Sequence, residues 1–435
     1  MVVGIQPGKI SGSVTANASK SAMQRACAAA LLKKGETIIH NPGNSNDDLA
    51  ALAIIKAMGA EVTANEADNS LRIMGKGLPF LHQPEQAAIH CGESGLSIRM
   101  FTPIAALATQ PVTITGEGSL TVRPMHFFQE VLPQLGVQVQ TNNGLVPMQV
   151  SGPLQPTDIT VDGSLSSQFL TGLLMAYAAA NASGVSISVN DLKSKPYIDL
   201  TLQVMKQFGL KTPINHQYER FEFTSEEAAA GADNFVVEGD WSGAAFLLVA
   251  GAVSNEVLVK GIYNSSRQAD KKIIDAILDA GAQVRVEEDQ VWVKKDKLEA
   301  FEFDATDCPD LFPPLVALAA NCTGVTHIKG LRRLKHKESD RGVTLQEEFA
   351  KLGVRLDLND DVMLVHGTGE LRVNNFTLNS HHDHRIAMAA AVAAINADFG
   401  IQIRNADAVN KSYPDFWKHL AALGISVQNQ STLVK

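Results

Sequence analysis

The sequence is short of several things. Its 435 residues include four cysteines, Cys27, Cys91, Cys308 and Cys322, and no two stand in a C-x-x-C spacing. All four lie in apolar or helical surroundings, which argues against a disulfide framework and reads as buried thiols in a reducing compartment. No lysine-rich face or tail is evident, and the net charge is −9. That speaks against a nucleic-acid partner. No apolar run reaches the ~18 residues of a membrane span, and "MVVGIQPGKI" lacks the apolar core of a signal peptide. The expectation is a cytoplasmic protein with no membrane partner. What remains is 45% hydrophobic and 19% charged residues, the balance of a soluble globular protein. The length is too great for one ordinary core, so two domains are expected.

One pattern recurs six times. An amphipathic helix, a glycine and a β-like residue follow one another in "IIKAMGAEV", "VLPQLGVQV", "VMKQFGLKT", "AILDAGAQV", "EFAKLGVRL" and "HLAALGISV". The glycines are Gly59, Gly136, Gly209, Gly281, Gly353 and Gly424, spaced 71 to 77 residues apart. Six helix C-caps at a nearly fixed period define a structural repeat. Within each repeat an apolar helix precedes a short strand, and one or two strands follow the glycine. The repeats therefore read as six βαβα-type units, too long for a solenoid and most economically arranged as three per domain.

The first helix of each unit is apolar nearly all round, as in "GAAFLLVAGAV" and "RIAMAAAVAAI". Such helices are buried. The fold class is therefore α/β, with parallel helices inside and sheets outside, the reverse of a common α/β barrel.

Polar residues cluster where the helices begin. The first-helix starts read "ASKS", "GESG", "SLSSQ", "GDWSG", "DCPD" and "HHDHR"; the second-helix starts read "SNDD", "TVRP", "SKPY", "SSRQ", "KHKESDR" and "NKSYP". Ser, Asp and Asn are ordinary N-caps. Capping does not explain Lys20, Arg25, Arg123, Lys337, Arg341, Arg385 and Lys411, because a cation at a helix N-terminus opposes the macrodipole. A phosphate-loop reading of Gly12 and Lys20–Ser21 fails, since the spacing is wrong and Ser19 stands where a glycine is needed. The remaining explanation is an anionic ligand held at convergent helix starts.

With these residues assembled, the sequence resembles the 5-enolpyruvylshikimate-3-phosphate synthase family, the 3-phosphoshikimate 1-carboxyvinyltransferases. The resemblance covers almost the whole chain and rests on "SKSAMQR", "GESGLSIR", "VRP", "SSQFLTGLL", "SKPYIDLTL", "EGDWSGAA", "KHKESDR", "HHDHRIAMA" and "NKSYPDFW", in the family's order. It implies a two-domain inside-out α/β barrel, with 1–18 plus 239–435 in one domain, 19–238 in the other, and the active site in the cleft. It also implies transfer of the enolpyruvyl group of phosphoenolpyruvate to the 5-hydroxyl of shikimate 3-phosphate by a monomer, with no metal and no organic cofactor.

By that resemblance Ser166, Ser167 and Ser194 hold the shikimate phosphate, with Gln168 beside them. Lys20, Ser21, Arg25 and Lys337 complete the shikimate 3-phosphate site. Arg123, Arg341, Arg385 and Lys411 clamp phosphoenolpyruvate, with the Gly95 backbone close by. Arginine suits these anions because its planar fork donates two parallel hydrogen bonds. Asp310 matches the carboxylate that takes the 5-hydroxyl proton. Glu338 and Lys20 are the candidates for proton transfer at the methylene carbon and the leaving phosphate, with His384 as a helper.

The sequence departs from the family at Glu93 and Leu96, where Asn and Thr are usual, at Met100 after Arg99, and at Arg333 in place of an asparagine. The alternative is the sister enolpyruvyl transferase acting on UDP-N-acetylglucosamine, which carries a loop cysteine five residues before the Arg-Pro pair. Here that position is Gly118, before Arg123–Pro124.

Overall fold

The computed structural model describes residues 1–78, 87–335 and 337–430. The chain forms two compact units, one of Met1–Ser19 with Glu238–Lys435 and one of Lys20–Val237. Each crossing lies one residue from the boundary drawn on the sequence.

Among the described residues, each unit contains three four-stranded sheets built on one plan. In the sheet containing Ala88–His90, that strand pairs in parallel with Val112–Thr115. The latter pairs antiparallel with Leu145–Ser151, which pairs antiparallel with Gln138–Asn142. The parallel pair requires a crossover, and the helix Gly95–Ala105 supplies it. Two strands follow the capping glycine in five of the repeats, and among the described residues one, Val427–Gln430, follows Gly424. The repeat is thus strand–helix–strand–helix–strand–strand.

Three strands distant in sequence close the set. Asn234–Val236 runs parallel to Lys34–His40 in one unit, and Ser13–Thr15 runs parallel to Glu256–Lys260 in the other. Val2–Ile5 lies between Ile401–Arg404 and Val427–Gln430, antiparallel to both. The sixth sheet is completed by the first residues of the chain.

The six capping glycines all take positive φ, from 72° at Gly209 to 103° at Gly424. That left-handed geometry ends a helix at no steric cost only for glycine. The first helices are the core. Every residue of Gly95–Ala105, Phe312–Ala320 and His384–Ala394 is buried, as are residues 241–253 of Trp241–Ser254. Their small residues allow close packing. A Cβ on Gly172 would lie 2.6 Å from the Met100 carbonyl oxygen, so the helix Ser167–Ala179 can meet its neighbour only with glycine there. Sheets cover this core with one apolar face each, as in Gln290–Lys294, where Val291 and Val293 are fully buried.

Candidate active site

In the unit Lys20–Val237, side chains tie together the starts of the three buried helices. Gln24 on Lys20–Leu32 is fully buried, and its Oε1 accepts from the hydroxyls of Ser94 (3.1 Å) and Ser97 (2.9 Å). Arg99 donates to Gln168 Oε1 (2.8 Å), and its guanidinium lies 5.1 Å from the Phe169 ring centroid. Arg25 Nε donates to Thr201 Oγ1 (2.9 Å), which is itself 2.9 Å from Thr171 Oγ1. Each link joins two helices near their first turns.

The expected anion ligands of this unit stand at or beside helix starts. Lys20 is the first helical residue, with Nζ 2.9 Å from Asp47 Oδ2. Ser21 offers its carbonyl to Arg25 Nη1 at 2.8 Å. Ser166 is the N-cap of Ser167–Ala179, its Oγ accepting from the Gln168 N–H at 3.2 Å. Ser194 precedes Lys195–Gln207 in the left-handed region, with φ 57° and ψ 44°, and its side chain does not cap that helix. A serine there costs about 1–3 kcal/mol, a strain that clusters at ligand sites. Gly95 lets Arg123 rest on a helix start: a Cβ there would lie 2.4 Å from Arg123 Nη1.

The second cluster belongs to the other unit and centres on Asp310, in the short 3₁₀ turn before Phe312–Ala320. Asp310 Oδ1 accepts from Lys337 Nζ (3.1 Å) and Arg341 Nη1 (2.8 Å), and Oδ2 accepts from Arg385 Nη2 (3.2 Å). Arg341, only 1% exposed, also donates to Asp383 Oδ2 (2.8 Å) and Glu338 Oε2 (2.5 Å). Asp383 caps His384–Ala394 by accepting from the Arg385 N–H at 3.0 Å. His384 is buried, with Nδ1 3.9 Å from Asp383 Oδ1. Lys411 reaches the same segment by donating to the His382 carbonyl at 2.6 Å.

The electrostatics follow from burial and from these partners. Burial alone would raise the pKa of Asp310, but Arg385, Lys337 and Arg341 together outweigh it and hold the carboxyl well below its usual range. Burial lowers Lys337, with Asp310 acting against it. Burial also opposes the charge on Arg341, yet Asp383, Glu338 and Asp310 raise its pKa above the ordinary value. Arg25, buried among neutral oxygens, falls to about 10. Asp270, fully buried and bonded by the Ser242 hydroxyl, is pushed up to about 6 by burial and by Asp310.

Two expectations change. The cations do not await an external anion, because Asp47, Asp310, Glu338 and Asp383 already accept from Lys20, Lys337, Arg341 and Arg385. A ligand must compete with these carboxylates. Arg123 and Lys411 precede the helices His126–Val131 and Phe416–Ala422, but each also closes a 3₁₀ turn. Arg123 follows the 3₁₀ turn Gly118–Val122, and Lys411 ends the 3₁₀ turn Ala406–Lys411, where the carbonyl end favours a cation.

Gln24, Asp47, Ser97 and Asp383 join these clusters without a site signal of their own in the sequence. Asp47 and Asp383 stood within "SNDD" and "HHDHR", but as caps; only the fold pairs them with cations. Among the described residues, Glu347, Glu348 and His381 lie close enough to share a metal ion. Glu348 is already bonded by Lys351 and His381, each at 2.8 Å. Among the same residues no helix is long and apolar enough to cross a membrane.

The arrangement offers a carboxylate ringed by three cations, a second carboxylate one residue from Lys337, and a separate set of serines, lysine and arginines for anions. Comparison with known proteins gives the same direction. The family profile described as EPSP synthase (3-phosphoshikimate 1-carboxyvinyltransferase) matches residues 5–420. A Clostridium novyi protein named 3-phosphoshikimate 1-carboxyvinyltransferase is 35% identical over 427 residues, 97% of each chain. One of the same name from Methanocorpusculum labreanum is 34% identical, covering 98% of this chain and 99% of the other. Among solved structures, EPSP synthase from Acinetobacter baumannii superposes with TM-score 0.79 at 24% identity, over 98% of this chain and 100% of that one. The enolpyruvyl transferase NikO from Streptomyces tendae gives 0.74 at 18% identity, over 98% of both chains. These two share the fold. On the family profile and the full-length relatives, the chain belongs to the EPSP synthase family.

Proposed function

We infer that the chain transfers the enolpyruvyl group of phosphoenolpyruvate to the 5-hydroxyl of shikimate 3-phosphate, the activity its full-length relatives are named for. The observation that supports it most is the Asp310 network, a carboxylate kept ionised by the cations that would bind the anionic substrate. In this reading Asp310 takes the hydroxyl proton as the oxygen attacks C2 of the enolpyruvyl group. The methylene carbon gains a proton from Glu338 or Lys20, giving a tetrahedral ketal. That carbon then returns a proton as the C–O bond to phosphate breaks, and phosphate leaves. Both steps need positioned acids and bases.

Lys20, Ser21, Arg25, Ser166, Ser167, Gln168, Ser194 and Lys337 hold shikimate 3-phosphate. Arg123, Arg341, Arg385, Lys411 and the Gly95 backbone hold phosphoenolpyruvate, and His384 assists the proton transfers. Acid, base and cations all come from side chains, so the reading requires no metal or organic cofactor, and a monomer working in the cytoplasm suffices.

The sister reaction on UDP-N-acetylglucosamine is disfavoured by Gly118 at the position of that enzyme's loop cysteine. Phosphate release with phosphoenolpyruvate and shikimate 3-phosphate, against UDP-N-acetylglucosamine as acceptor, separates the two. Release with the nucleotide sugar alone would overturn the assignment. Arg123→Ala and Arg385→Ala should each raise the KM for phosphoenolpyruvate by tenfold or more, since losing one partner of a buried charge pair costs about 2–5 kcal/mol. A rise in one variant only would confine that substrate to one cluster.

A further inference from the structure

Glu93 stands just before Ser94, the N-cap of Gly95–Ala105, and has no part in the roles assigned above. Its Oε2 accepts from the Ser119 N–H at 3.1 Å, and the neighbouring Gly92 carbonyl accepts from the Glu117 N–H at 2.8 Å. Gly118, between those two donors, has φ +53°. A Cβ at 118 would lie 2.2 Å from Glu93 Oε2 and 2.3 Å from its carboxyl carbon, so the carboxylate fills the space that a side chain there would take. The turn Gly118–Val122 ends at Arg123, whose N–H donates to the Leu120 carbonyl at 3.3 Å. Leu120 is fully buried, and Arg123 Nη1 rests over Gly95. Residues 92–95 therefore grip this turn at both ends, Glu93 where it begins and Gly95 where its arginine lands.

We propose that Glu93 is a positioning residue, which seats the turn Gly118–Val122 and thereby aims Arg123 at phosphoenolpyruvate. The inference rests on the assignment of Arg123 as a ligand of that substrate. A guanidinium binds an anion by a planar fork, and a swing of its backbone origin misaligns both donors at once. The effect is expected on phosphoenolpyruvate, the substrate to which Arg123 is assigned.

The test uses the full-length enzyme and compares Glu93→Ala, Glu93→Gln and Arg123→Ala for kcat, for KM of each substrate and for thermal midpoint. Glu93→Ala should raise the KM for phosphoenolpyruvate about tenfold, equivalent to about 1.4 kcal/mol. The KM for shikimate 3-phosphate and the thermal midpoint should stay near wild type. Glu93→Gln keeps an oxygen for the Ser119 N–H and should recover most of the loss. If Arg123→Ala weakens phosphoenolpyruvate and Glu93→Ala does not, the positioning role is overturned alone. If Arg123→Ala has no effect, the reading of Arg123 falls and this inference with it. An equal rise in both KM values would make Glu93 a general structural residue and also overturn the proposal.

Discussion

At the scale of single residues, Asp310 presents a conflict between binding and chemistry. Three cations stabilise its charge and make it a poor base. An anion bound to Lys337, Arg341 or Arg385 would offset their charge and let the carboxyl pKa rise, so substrate would itself activate the base. The acid limb of kcat, which reports the substrate complex, should therefore lie at higher pH than that of kcat/KM, which reports the free enzyme. Coincident limbs would remove this coupling. Asp310→Asn keeps an oxygen acceptor but cannot take a proton. Both substrates should still bind, while kcat falls roughly 10²–10⁴-fold. Near-normal turnover would take Asp310 out of the mechanism.

At the scale of elements, the helix Asn46–Ala57 shows how one residue can serve a cap and a titration. Asp48 Oδ2 accepts from the Ser45 hydroxyl (2.6 Å) and the Ser45 N–H (3.1 Å), while Ser45 Oγ accepts from the Asp48 N–H, a reciprocal capping box. Burial pushes the Asp48 carboxyl up to about 6 despite those bonds. Its unfolded value is near 3.9, so the folded state binds the proton more tightly. Stability should then rise as pH falls from about 7 towards about 5, and be fully gained below the unfolded value. Asp48→Asn retains the oxygen of the cap and should flatten that part of the curve. Thermal midpoints measured across this range check it; parallel curves for the two proteins would show that Asp48 does not titrate there.

At the scale of the whole molecule, closure of the last sheet depends on its first residues. Val2–Ile5 is hydrogen-bonded on both sides, and Val3 and Ile5 are fully buried. Without this strand, Ile401–Arg404 and Val427–Gln430 lose their common neighbour. Each lost apolar side chain is worth about 1.5–3 kcal/mol. Deleting residues 1–5 should thus lower the thermal midpoint of the unit containing that sheet by about 10 °C or more. Calorimetry reads this directly, and an unchanged transition would show that the strand is dispensable.

The repeat, its buried helices and its capping glycines were legible without coordinates. Each is a local pattern, set by the spacing of apolar residues and by one position that glycine alone fills cheaply. The charged residues themselves were equally visible in "SKSAMQR", "KHKESDR" and "HHDHR". What neutralises them was not. Lys20 finds Asp47 on the next helix, and Arg341 finds Asp383 forty-two residues away. The 3₁₀ turns that carry Arg123 and Lys411, the left-handed Ser194 and the seating of Glu93 against Gly118 depend likewise on neighbours from other elements. Periodicity belongs to a stretch of chain and can be read from it, whereas charge compensation and strain belong to pairs that only folding brings together.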